Sequence, residues 1–128
     1  MKKNFLPWHN FKSHLHHNLN QPPYFNEREV WFCSVGLNVG HEQDGKNDKF
    51  ERPVIVLRKF NQRMFWGIPT TSKVKGGMYH YTFRWRSKFY AAILSQIRVY
   101  DSRRLIRRIG LLSDMEFAEI KNQLKKLF

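Results

Sequence analysis

The stretch MYHYTFRWR, residues 78–86, sets Tyr79, Tyr81, Phe83 and Trp85 on one side of a period-two alternation and His80, Thr82, Arg84 and Arg86 on the other. Side chains alternate across a β-strand, so this pattern predicts a strand with one buried face. Upstream, EVWFCSV (29–35), PVIVLRK (53–59) and RMFWGIPT (63–70) are β-branched and aromatic runs bounded by Gly, Asn, Asp and Pro, which also read as strands. Downstream, AAILSQIRVY (91–100) supplies another. About five short strands predict a small, strongly bent sheet or barrel, mainly β with helices (α+β), rather than a parallel α/β fold.

Helical signals flank this β region. Phe5, Trp8, Phe11 and Leu15 recur at spacings of three and four and stop at Pro22-Pro23, which predicts a short amphipathic helix in an N-terminal extension, residues 1–26. DSRRLIRR (101–108) reads as a short helix capped by Asp101 or Ser102 and ended by Gly110,. Ser113 and Glu116 form an S-x-x-E capping box, and Phe117, Ile120, Leu124 and Leu127 fall on one stripe of a final helix,.

The 128 residues fit one domain, with 41% hydrophobic and 16% aromatic content to build a core,. Lys and Arg number 23 against 10 Asp and Glu, a net charge of +13, which favours a polyanionic partner. Cys33 is the single cysteine and stands in an apolar run, so it reads as a small buried hydrophobe in a reducing compartment. No secretory signal and no run of about 20 apolar residues is present, so the expectation is a soluble, cytoplasmic chain with no membrane partner.

GHEQDGKN (40–47) has the Gly40 to Gly45-Lys46 spacing of a phosphate-binding loop, but Asn47 stands where Ser or Thr is needed and the following NDKFERP shows no helical start,. It reads as a strand-connecting loop, and Lys46 interrupts any calcium-loop pattern. His14, His16 and His17 cluster without a second ligand motif, so no metal and no cofactor is expected.

Three blocks, EVWFCSVGLNVGHEQDGKNDKFERPVIVL, FWGIPTTSK and ILSQIRVYDSRRLIRRIGLLSDMEF, resemble in order and spacing the MazF/PemK family of toxin endoribonucleases of type II toxin–antitoxin systems. The resemblance covers about residues 27–127. It implies a small SH3-like β-barrel with a C-terminal helix, residues 27–128, usually a homodimer. It also implies metal-independent cleavage of single-stranded RNA, leaving a 2′,3′-cyclic phosphate and a 5′-hydroxyl. Glu42-Gln43 stand where the family has Glu-Gln, Arg52 is the Arg of its R-P pair, and Thr71-Ser72 occupy its Thr/Ser pair. The loop between Gln43 and Arg52 is longer than in many members, and Ser95 stands where several have an acid.

Cleavage by a neighbouring 2′-hydroxyl needs a base, an acid for the departing oxygen, and donors around the phosphorane oxygens. Glu42 is the candidate base, Arg52 the phosphate stabiliser, and Thr71 a hydroxyl donor. Gln43, Lys46, Ser72 and Lys73 are candidate substrate contacts. Gln96, Arg103 and Arg104 extend that set, with Arg107 and Arg108 completing a basic stripe if the segment is helical. His41, beside Glu42, has the near-neutral pKa of an acid or base. Trp66 and Tyr79, where exposed, would stack RNA bases.

Competing readings stay open. Arg52 can simply pair with Glu51 or Glu42, and the hydroxyls after Pro69 can serve a strand-end turn. A non-catalytic basic RNA- or DNA-binding module, or a protein–protein contact domain, would use the same barrel. The partners expected are single-stranded mRNA, a second copy of the chain, and a cognate antitoxin whose acidic or amphipathic tail covers the basic groove.

Overall fold

In the computed structural model the described residues are 23–35, 51–74 and 76–128. They form seven strands and one α-helix: β1 (Glu29–Ser34), β2 (Glu51–Lys59), β3 (Met64–Thr71), β4 (His80–Trp85), β5 (Lys88–Ile93), β6 (Arg98–Asp101), β7 (Leu105–Leu111) and α1 (Asp114–Lys125). The expected N-terminal helix and the loop 40–47, with Glu42, Gln43 and Lys46, lie outside the described residues.

All pairings are antiparallel, in the order β4-β5-β3-β2-β1-β7, with β6 also on β3. The sheet curls into a half-barrel, open between β6 and β7, which a 3₁₀ turn at Ser102–Arg104 joins. This is the small, strongly bent sheet that the alternating runs predict.

The β2–β3 hairpin closes on Asn61, whose Oδ1 accepts from the backbone N–H groups of Arg63 (2.7 Å) and Met64 (3.0 Å), a side-chain turn that asparagine favours. One edge of β3 then serves two partners in succession. Thr70 and Thr71 pair with β5, and Met64–Gly67 pair with β6. Among the described residues Ile68 and Pro69 have no partner on that edge, and Pro69 has no N–H to offer. AAILSQIRVY, expected as one strand, is therefore two, broken by a 3₁₀ turn at Leu94–Gln96.

A second expectation is overturned. Asp101 does cap, accepting from the Arg103 N–H at 2.8 Å, but the helix lasts one 3₁₀ turn and Leu105–Leu111 becomes β7, paired with β1. Pairing to a strand about seventy residues away outweighs the local helical preference. Gly110, expected to end the helix, sits inside β7 with the Trp85 ring against its Cα. Strand β4 starts at His80, so Tyr79 stands outside it, 52% exposed, while Phe83 is buried and Tyr81 and Trp85 are half-buried.

The two faces of β1–β3 carry two cores. Inside the curl lie Phe25, Trp31, Cys33, Val54, Val56, Phe65, Tyr100 and Leu105. On the outer face Val30, Ile55, Leu57 and Ile68 meet Phe83, Ala92, Leu94 and the helix residues Phe117, Ile120 and Leu124. Helix α1 is capped as expected, Ser113 Oγ accepting from the Glu116 N–H at 3.1 Å. Arg28 fixes its start by donating to the Leu112 carbonyl (2.9 Å) and pairing with Asp114 (2.9 Å).

Because a Cβ at position 110 would overlap the Trp85 ring, Gly110→Ala should lose about 1–3 kcal/mol of stability. The urea midpoint, with the slope unchanged, measures it.

Candidate functional site

Arg52 is the second residue of β2, on the same side as Val54 and Val56, so strand alternation sends its side chain to the inner face,. It is only 4% exposed, and its Nη1–H donates to the Thr70 carbonyl at 2.9 Å. Thr70 in turn donates its hydroxyl to the Pro53 carbonyl at 3.0 Å. The first bond ties the guanidinium to β3, and the second ties the same residue of β3 back to β2.

Around Arg52 is a pocket of about 220 Å³, lined by Val35, Arg52, Pro69, Ser95, Gln96, Ile97, Arg98 and Tyr100. The Arg98 guanidinium lies over the Tyr100 ring, 4.8 Å from its centre. Arg104 reaches the same end of the curl and donates to the Ser34 carbonyl at 3.3 Å. Tyr100 is 2% exposed, and burial pushes its hydroxyl up to about 12 against the opposing charges of Arg98 and Arg52. The Cys33 thiol, buried below, is also pushed up by burial, with Arg104 and Arg98 pulling the other way. Arg104 is lowered, first by burial and then by Arg98. The charges of Arg98 and Arg104 oppose one another, and a bound anion would offset that repulsion,.

Of the residues the sequence singles out, Arg52 and Gln96 line this mouth and Arg104 borders it. Thr71 lies two positions beyond Pro69 on β3; it is buried, and its Oγ1 accepts from the Lys73 N–H at 3.1 Å. Ser72 and Lys73 follow it in the open. Arg103 forms a two-pronged pair with Asp101, Nε–H at 3.0 Å and Nη2–H at 2.8 Å. Arg107 and Arg108 do not share a helical stripe with it. Arg107 lies over Phe32 and 3.5 Å from Glu51, while Arg108 is 3.4 Å from Glu29. Glu42, Gln43, Lys46 and His41 lie outside the described residues.

Trp66 is exposed but stands on the opposite face from Phe65, beside Lys121, Leu124 and Phe128 of the helical end, and does not line the mouth. Arg98 and Tyr100 are the residues that sequence reading passes over. Their signal was present, a cation and an aromatic two apart in IRVYD, but the alternation cannot say which face turns inward. Among the described residues no group of three or more His, Cys, Asp or Glu is placed to hold a metal. No helix among them is long and apolar enough to cross a membrane.

A family model described as PemK-like, MazF-like toxin of type II toxin-antitoxin system matches residues 26–128. Comparison with curated proteins finds no match. Among solved structures, MazF from Deinococcus radiodurans superposes with a TM-score of 0.67 at 22% identity, covering 84% of this chain and 97% of that one. The MazE–MazF structure from the same organism gives 0.63 at 22% identity, over 82% and 96%. Mycobacterium tuberculosis toxin MazF-mt6 gives 0.60 at 13% identity, over 77% and 94%. The half-barrel with its C-terminal helix is thus a MazF-like fold.

The Asp101 carboxyl is held below its ordinary 3.8, chiefly by the Arg103 hydrogen bond. A carboxyl lowered in the folded state adds stability that is complete above 3.8 and fades as pH falls through the folded value,. The urea midpoint of the wild type should therefore drop more steeply than that of Asp101→Asn as pH falls from about 5 to 2.

Proposed function

The chain belongs to the PemK-like, MazF-like toxin family of type II toxin–antitoxin systems, and from that premise we propose that it is a metal-independent endoribonuclease cutting single-stranded mRNA in the cytoplasm. The observation that carries the reading is the arginine mouth: Arg52 locked to Thr70, with Arg98 and Arg104 converging on the same end of the curl. Such a rim suits a polyphosphate chain better than a neutral ligand.

In this reading the substrate's 2′-hydroxyl attacks the adjacent phosphorus. The P–O5′ bond breaks, leaving a 2′,3′-cyclic phosphate and a 5′-hydroxyl. Glu42 takes the 2′-hydroxyl proton. Arg52 meets the phosphorane charge with two parallel N–H donors and passes a proton to the departing oxygen. Its fixed geometry means that little reorganisation accompanies the reaction, which is the source of electrostatic catalysis. Thr71 donates its hydroxyl proton to a phosphate oxygen while its lone pair continues to accept from Lys73,.

Gln43, Lys46, Ser72, Lys73, Gln96, Arg103 and Arg104 hold the flanking nucleotides. Residues 27–128 form the toxin domain and 1–26 an extension to it. A homodimer and an antitoxin partner are part of the same proposal, the latter supported by the MazE–MazF relative.

Incubation with a long single-stranded RNA in EDTA should give discrete fragments ending in cyclic phosphate. Arg52→Ala should slow cleavage by about 10²–10³-fold. Arg52→Lys, which keeps the charge and loses the fork, should also fall well below wild type. Intact RNA with wild type, bound equally by Arg52→Ala, would leave a non-catalytic binding module instead. RNA affinity should fall by about 0.7 log units per log unit of salt for each phosphate contacted.

A further inference from the structure

The pocket beside Arg52 is not lined by charge alone. Its walls mix the apolar side chains Val35, Pro69 and Ile97 with the guanidiniums of Arg52 and Arg98, the Gln96 amide and the Ser95 hydroxyl. At about 220 Å³ it is smaller than the usual small-ligand pocket of about 300–1,000 Å³,, room for one nucleobase rather than two stacked ones. A hydrated phosphate gains nothing from apolar walls, whereas a base buries its faces against them and keeps its edge atoms for hydrogen bonds.

Arg98 is the group placed to read such an edge, and it is held on a rigid support. Tyr100 stacks on Phe65, with ring centres 5.4 Å apart and planes 15° from parallel. A Cβ at Gly67 would stand 2.8 Å from the Tyr100 ring, so the ring sits tight against β3. The Arg98 guanidinium lies over that ring, 4.8 Å from its centre, and its side chain is hydrogen-bonded to the Tyr100 hydroxyl. A guanidinium fixed in this way loses little rotamer freedom on binding and offers its N–H groups as a planar fork.

That fork selects among bases. Guanine presents two adjacent acceptors, O6 and N7, which match it; uracil offers O4 alone. The N6 amino group of adenine and the N4 amino group of cytosine would turn N–H toward the guanidinium. Among the described residues no carboxylate lines the pocket to accept from them. The Gln96 amide, which both donates and accepts, does not alter that balance.

We propose that this pocket reads one guanine next to the scissile phosphate, the Arg98 fork meeting O6 and N7 while Arg52 holds the phosphate. Arg98 is thereby a specificity-determining residue. The inference rests on the nuclease reading above and adds which base that nuclease selects.

Mapping the fragment ends from a long single-stranded RNA tests it first: guanine should stand at one fixed position flanking the cut. In a short oligonucleotide around the best-cut site, replacing that guanine by inosine, which keeps O6 and N7, should leave kcat/KM within about twofold. Replacing it by 7-deazaguanine, by 2-aminopurine or by adenine should lower kcat/KM by about tenfold or more. Arg98→Gln should turn the preference toward adenine, whose N6 and N7 suit a glutamine amide. Ser95→Asp, at an exposed position, should raise cleavage when cytosine replaces the guanine, because a carboxylate accepts from N4.

Cleavage without a guanine preference, or 7-deazaguanine cut as fast as guanine, overturns the pocket and leaves the nuclease standing. So does an Arg98→Gln variant that binds every sequence more weakly by the same factor, with the salt slope reduced by about 0.7, which would make Arg98 a phosphate contact. If wild type cuts no RNA, the nuclease reading falls and the pocket is judged by anisotropy. A labelled uracil oligonucleotide carrying one guanine should then bind about tenfold more tightly than its adenine counterpart, and equal affinity overturns the proposal.

Discussion

Thr70 is the residue through which the sheet and the site depend on each other. It is 1% exposed, pairs with Ala92 on β5, bonds the Pro53 carbonyl on β2 and accepts from Arg52. A guanidinium that is almost fully buried must have its donors satisfied or its desolvation is uncompensated. The β2–β3 register supplies that acceptor by setting Val54 opposite Pro69, which leaves Arg52 reaching for the next carbonyl along. Were β3 to slip by one residue, every inner side chain of β3 would turn outward and the guanidinium would lose its acceptor.

The same register explains why β3 changes partner. Pro69 interrupts pairing on one edge, the chain from β5 turns through Leu94–Gln96, and β6 resumes alongside Met64–Gly67. That break leaves a gap beside Pro69 and brings Gln96 and Arg98 to its rim. Gly67 is needed on the neighbouring turn of the strand, because a Cβ there would stand 2.6 Å from Val54 and 2.8 Å from the Tyr100 ring. The mouth is therefore a consequence of one proline and one glycine in β3.

Local chemistry was legible where the contacts that decide it are local. The alternation in MYHYTFRWR, the capping box at Ser113 and the stripe of Phe117, Ile120 and Leu124 all rest on residues within a few positions of one another, and each element forms there. DSRRLIRR misled because its helical spacing competes with β1, a distant strand that offers Leu105–Leu111 a ladder. Gly110 looked like a helix stop and is a close contact with Trp85, a neighbour that no local pattern reveals. The arginines that seemed to form one stripe instead meet Asp101, Ser34, Glu51 and Glu29 in four separate places. Of the residues at the mouth, the R-P pair singled out Arg52, while Arg98 and Tyr100 stayed hidden because period two leaves the inward face undecided.

The sequence by itself determined the β-rich class, the capped C-terminal helix, the buried Cys33 and a surplus of 13 positive charges, since periodicity, capping and charge are properties of residue order and type. Where those charges gather was decided only by the tertiary structure. Arg52, Arg98 and Arg104 are spread over more than fifty positions of chain and meet because β1, β2, β3 and β6 curl around one core. Convergence of like charges opposes folding locally, so no local preference can encode it; it is held by the burial of Tyr100, Cys33 and Phe65 beneath them.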